Sequence, residues 1–167
     1  MTGFESLVLV GVTGVAALTD ARAGRIPNAL TVPVLVISPL ARALARGQGG
    51  LEASIAGAVL CAVAPLALFS RRAMGGGDVK LFAAIGAVLG PSEGLAFEFL
   101  GFVTTALFAL GTAWRDGLLR AVLTRSLRLA RWPVGGPESD PSLATGVRMG
   151  VPVFFAALVA CRFGLGP

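Results

Sequence analysis

An all-α fold embedded in a membrane is what this sequence predicts, on three observations. Of 167 residues, 55% are hydrophobic and only 14% charged, with a mean hydropathy of +0.82. Soluble domains carry about 25% charge and about 45–50% apolar residues. The apolar residues are gathered in blocks instead of alternating with polar ones, the pattern of a polytopic membrane protein. Between the blocks stand short Gly, Pro and Arg clusters, which leave little length for a soluble domain. The prediction is therefore one membrane-embedded domain over residues 1–167, a polytopic protein with six transmembrane helices. An amphipathic interfacial helix is predicted between the fifth and sixth.

The first span is read from about Phe4 to Thr19. It has no basic region before it and no small-residue cleavage site after it, so it reads as a retained span and not a signal peptide. Asp20 closes it and leads through Arg22 and Arg25 to Ile26-Pro27-Asn28. Pro27 disfavours helix at Ile26 and suits the first turn of a new one. The second span, about Ala29 to Ala45, contains Pro33 and Pro39 and is expected to kink there. A connector of turn residues, Arg46 to Gly50, leads to the third span, about Leu51 to Phe69. After Gly75-Gly76-Gly77 the fourth span begins at Asp78 and reaches Leu89, where Gly90-Pro91-Ser92 breaks it. The fifth runs from about Glu93 to Ala113 and the last from about Met149 to Phe163. Between these, Trp114 to Trp132 carries leucines at helical spacing among arginines, the pattern of a helix lying among headgroups.

Charge sets the orientation. Arg22, Arg25, Arg71, Arg72, Lys80 and the arginines from Arg115 to Arg131 all fall in odd-numbered connections; Arg42, Arg46 and Arg162 lie opposite. The positive-inside rule then puts the odd connections in the cytoplasm and both termini outside. A net charge of +5 would suggest nucleic acid in a soluble protein. Here loop topology and anionic headgroups account for it, so the expected partner is the bilayer and not nucleic acid.

Two acids stand at matching places. Asp20 ends one apolar helix and Asp78 opens another, and the orientation gives both the same cytoplasmic boundary. An acid at a membrane boundary is costly unless paired or functional. Two carboxylates a few ångströms apart cannot both ionise easily and so share a proton. The ionised one can take a proton from water while the protonated one polarises a peptide carbonyl. That is aspartic protease chemistry, which needs no metal or other cofactor. His is absent, which excludes His triads, ligands and relays. Cys61 and Cys161 stand alone in apolar runs and read as small buried residues. Gly75, Gly76 and Gly77 are expected to allow positive φ and to clear space beside Asp78, so that an extended substrate pairs along this stretch.

Asp20 followed by Ile26-Pro27-Asn28, together with Gly75-Gly76-Gly77-Asp78-Val79-Lys80, resembles the two signature motifs of the type IV prepilin peptidases, within the wider class of GxGD membrane aspartyl proteases. The resemblance covers most of the chain, since span number, motif order and topology agree. It implies Asp20 and Asp78 as the catalytic pair and a multi-pass protein of the bacterial cytoplasmic membrane. It implies cleavage of prepilin leaders at the cytoplasmic face, with the leader and N-terminal helix of the prepilin as partner. Longer relatives carry an N-terminal insertion with paired CxxC motifs and an added N-methyltransferase activity. Lacking these, the chain looks like the short, peptidase-only form of tight-adherence (Flp) pilus systems. Arg148-Met149-Gly150-Val151-Pro152 is a loose counterpart of an aromatic-glycine motif in relatives, and no catalytic role is carried onto it.

Blander readings stand beside these. Asp78 can be a plain helix cap and Asp20 an interfacial acid balanced by Arg22 and Arg25. Ile26-Pro27-Asn28 can serve only to shape the turn that holds Asp20. Lys80 either tunes Asp78 or reaches for phosphate. Glu98 lies either near the outer interface or inside the bundle. The alternative function is a small transporter or channel subunit whose acids bind cations or protons, but acids at a single membrane face argue against a pathway to both sides. A non-enzymatic assembly subunit is the third reading; it requires neither carboxylate.

Overall fold

The computed structural model describes residues 3–71, 73–115, 117 and 149–163. Among these every regular element is an α-helix: α1 (Gly3–Ala23), α2 (Asn28–Ser70), α3 (Gly76–Leu89), α4 (Pro91–Arg115) and α5 (Gly150–Phe163). Most of the segment from Trp114 to Trp132, predicted to lie at the interface, falls outside the described residues. α1, α2 and α4 are long and apolar enough to cross a membrane, and α5 is a shorter apolar helix. Large apolar side chains such as Leu7, Leu40, Leu44, Val63, Phe99, Leu107 and Phe155 face outward. Water would oppose so much exposed apolar surface; lipid does not.

At 43 residues, α2 would be about 65 Å long if straight, twice the thickness of a bilayer core. It doubles back. Gly47, at φ 67° and ψ −151°, is the one residue inside it with non-helical angles. Gly50 then lies directly against the Arg42 carbonyl, where a side chain would collide. Contacts with α3 give the directions of the two arms. Lys80 near the start of α3 meets Asn28, and Arg42 meets Val88 near its end, so the first arm runs parallel to α3. In the second arm Ser54 Oγ donates to the Ala87 carbonyl at 2.7 Å, while Phe69 packs on Gly76, so that arm is antiparallel. The expected five-residue connector, Arg46 to Gly50, is thus a reversal at a single glycine, because residues 48–50 keep helical angles. Pro33, Pro39 and also Pro65 sit within the helix, and none interrupts its helical angles.

α3 is the axis of the bundle, with every residue from Leu81 to Gly90 buried. The stretch from Leu81 to Gly90 carries no polar side chain, which suits this, since a helix apolar all round is stable only when enclosed. Small residues let the backbones touch: a Cβ on Gly57 or on Gly86 would strike the other's carbonyl. Phe82 stacks on Phe102 of α4 at 5.4 Å between ring centroids, over Gly101. α1 packs chiefly on α5, through the alanine-rich face Val153, Ala156, Ala157 and Ala160. The bundle therefore has two parts, α2 with α3 and α1 with α5, joined mainly through α4.

Glu98 lies inside the bundle, 4% exposed, with its carboxyl bonded to Cys61 of the second arm. Of the two sequence alternatives the interior one holds, away from the aspartates. Cys61 is buried, as expected for a small apolar-like residue, and Cys161 is partly buried.

Candidate functional site

The first helix does not stop at Asp20. α1 continues one more turn to Ala23, and Gly24 ends it at φ 64°, its N–H bonding the Asp20 carbonyl at 2.9 Å. Glycine at this left-handed position is the usual helix stop. Asp20 is therefore held by a complete helical turn instead of opening a loop. It belongs to a buried stripe of α1 with Glu5, Leu9, Thr13, Ala16 and Ala17, and is 7% exposed. Arg22 and Arg25 beyond it point outward.

The partner of Asp20 comes from the far end of the chain. The Gly150 backbone N–H, at the start of α5, donates to Asp20 Oδ2 at 3.0 Å. Free N–H groups at a helix start are a natural seat for a carboxylate. The approach needs glycine: a Cβ at position 150 would lie 2.8 Å from Asp20 Cβ and 3.0 Å from Ala17 Cα. Nothing in the sequence alone singles out Gly150 for a role beside Asp20. The available signal was a glycine two residues ahead of Pro152 at a helix start, where only a close approach requires it.

Asp78 lies in the first turn of α3 and is partly exposed. Gly75 caps this helix with extended backbone, φ −78° and ψ 147°. Its carbonyl accepts the Asp78 N–H at 3.2 Å, and its own N–H bonds the Asp78 carboxylate. The expectation of positive φ at Gly75, Gly76 and Gly77 is not met, since none has it. Gly76 and Gly77 are helical, so no three-residue extended edge is available for a substrate to pair with. A Cβ on Gly76 would make ordinary contact with the Phe69 ring at 3.4 Å; the crowded position is Gly77, where it would lie 3.1 Å from Ile26 Cβ.

That last contact joins the two motifs. Ile26, buried, presses on Gly77 next to Asp78, and Lys80 Nζ donates to Asn28 Oδ1 at 2.8 Å. Pro27 between them is the extended N-cap of α2, at φ −72° and ψ 141°. Residues 26–28 thus act as a spacer seated on the start of α3, fixing the end of α1 against it. Asp20, Asp78, the three glycines, Lys80 and Ile26-Pro27-Asn28 all gather at one end of the bundle. Asp20 is near enough for its charge to act on the Asp78 carboxyl. One acid is buried and oriented by a backbone N–H, and the other opens toward the surface. Each of two such carboxyls makes ionisation of the other harder.

A sequence profile of the type IV leader peptidase family matches residues 7–110, which include both aspartates. The chain is also 33% identical over 108 residues to the prepilin leader peptidase/N-methyltransferase of Bacillus subtilis (strain 168). That alignment covers 63% of this chain and 43% of the relative, so the chain spans well under two thirds of the relative's length. No solved structure matches it significantly.

Proposed function

The chain belongs to the type IV leader peptidase family, and from that premise we propose that it is a membrane aspartic endopeptidase removing the leader peptide of type IV prepilins. Asp20 and Asp78 are the catalytic pair. The observation that carries this reading is the seating of one motif on the other, Ile26 on Gly77 and Asn28 on Lys80, with the two acids at the same end. A structural cap at Asp78 needs no buried acid opposite it.

In this mechanism a water lies between the carboxylates. The ionised acid takes its proton as the oxygen attacks the scissile carbonyl, which the protonated acid polarises. The proton then passes to the leaving amine, and the pair returns to its shared-proton state. Gly150 N–H holds the buried carboxylate in place through these steps, and partly exposed Asp78 is the side from which peptide enters. The arms of α2 count as two crossings, which with α1, α3, α4 and α5 makes six. The site faces the cytoplasm of a bacterial cell, with both termini outside, as the arginine distribution requires. A carrier role fits less well, because both acids lie at one end and the buried Glu98 lies apart from them.

Incubating the reconstituted chain with a type IV prepilin and weighing the products tests this. One cut at the junction of leader and mature N-terminal helix is the expected result. An intact precursor across several prepilins would contradict it.

A further inference from the structure

Asp20 and Asp78 ride on different parts of the bundle: α1 packs chiefly on α5, whereas α3 lies between the arms of α2. α1 itself touches α2 and α3 only sparsely. At the end remote from the acids, one cluster bridges the parts. Arg42 of the first α2 arm reaches Glu5 Oε1 of α1 at 3.3 Å, and the same nitrogen donates to the Val88 carbonyl near the end of α3. Arg46 adds a second, more exposed contact to Glu5 Oε1 at 3.4 Å. The Glu5 and Arg42 side chains are only 11% and 12% exposed, so solvent screens this pair little.

The sequence positions matter. Glu5 and Asp20 are the first and last members of one buried stripe on α1, about 22 Å apart along the axis. Val88 and Asp78 are likewise near opposite ends of α3. A helix is a stiff rod over such lengths, so a tie at one end constrains lateral position and tilt at the other. Ile26 on Gly77 is the tie at the acid end; Glu5–Arg42–Val88 is its counterpart at the far end.

We propose that Glu5 and Arg42 are positioning residues of the proteolytic site, an ionic clip that fixes the angle of α1 against α3 and so the approach of Asp20 to Asp78. This rests on the reading of those two acids as the catalytic pair. The clip never meets substrate, so its loss lowers turnover and leaves substrate affinity alone.

The test is a kcat and KM comparison for prepilin cleavage in liposomes, alongside thermal midpoints, for the native chain, Glu5→Gln, Glu5→Asp, Arg42→Lys and the Glu5→Gln/Arg42→Lys double variant. Misplacement by about 1 Å can cost a hundredfold in rate, and a change of tilt gives a fraction of that. Glu5→Gln is expected to lose about tenfold in kcat with KM within about twofold of native. Glu5→Asp, one methylene short but still charged, falls between. The double variant is no slower than the slower single one, because both act through one clip. Folded Glu5→Gln with native kcat overturns the proposal, as does a rise in KM at unchanged kcat. Should Glu5→Gln not fold, native kcat in both Glu5→Asp and Arg42→Lys overturns it equally. A native chain that cleaves nothing overturns the protease reading itself, and this proposal with it.

Discussion

Replacing Gly150 by alanine adds one carbon at the tightest point of the site. That carbon would lie 2.8 Å from Asp20 Cβ and 3.0 Å from both Ala17 Cα and Asp20 Oδ2. Carbon atoms pack at about 3.5–4.0 Å, so α5 and α1 must separate by about 1 Å. The bond from Gly150 N–H to Asp20 Oδ2, now 3.0 Å, would then stretch to about 4 Å and cease to count as one. Overpacking of this kind costs about 1–3 kcal/mol, which an intact bundle survives. Catalysis suffers more, since 1 Å at a reacting carboxylate can cost about a hundredfold. The assay is the single-turnover rate of prepilin cleavage by reconstituted Gly150→Ala, with Gly111→Ala as control. Gly111 has nothing within 4 Å of an added Cβ, and alanine there improves helix propensity. The expected rate loss is about tenfold to a hundredfold for Gly150→Ala, with KM little changed. A rate within twofold of native, in a folded protein, would refute the argument that Gly150 places Asp20.

Two further outcomes follow from the packing. Gly57→Val or Gly86→Val drives a side chain into the facing backbone carbonyl, which cannot move aside as a flexible side chain would. Either should cost about 3 kcal/mol or more, seen as a fall in the thermal midpoint in detergent, whereas Gly11→Val, with open space beside it, costs little. Ile26→Ala empties the buried contact on Gly77 and should cost about 2–4 kcal/mol, while Lys80→Ala removes an exposed bond to Asn28 worth under about 1 kcal/mol. Chemical denaturation of both variants compares them directly.

Much of this was legible because membrane burial leaves a coarse pattern. Blocks of apolar residues gave the helices, and acids at block ends gave the two candidates that the fold brings to one end, since an acid is expensive in either setting without a use. What was not legible depended on contacts between distant segments. The extra turn after Asp20 depends on Gly24 as the stop, and the sequence equally allowed the helix to end at the acid itself. Gly75-Gly76-Gly77 suggested unusual torsions, but what the fold imposes is crowding by Ile26 at Gly77. Such crowding is invisible until the chain is folded. Gly47 alone reverses α2 where a five-residue connector, Arg46 to Gly50, was expected. Gly150 meets Asp20 across 130 residues, a separation no local pattern encodes. Glu5 could have been found: with Leu9, Thr13, Ala16 and Asp20 it follows the three-and-four spacing of a single helix face. An acid on that face requires a buried partner, and Arg42 is among those the fold supplies.

Whether the two acids form one catalytic unit is decided by the rate of prepilin cleavage by Asp20→Asn, Asp78→Asn and the double variant in one membrane preparation. Residues that act as a unit are not additive. Each single substitution is expected to abolish detectable cleavage with the fold retained, and the double variant to be no worse than either. Substantial cleavage remaining in either single variant would contradict this.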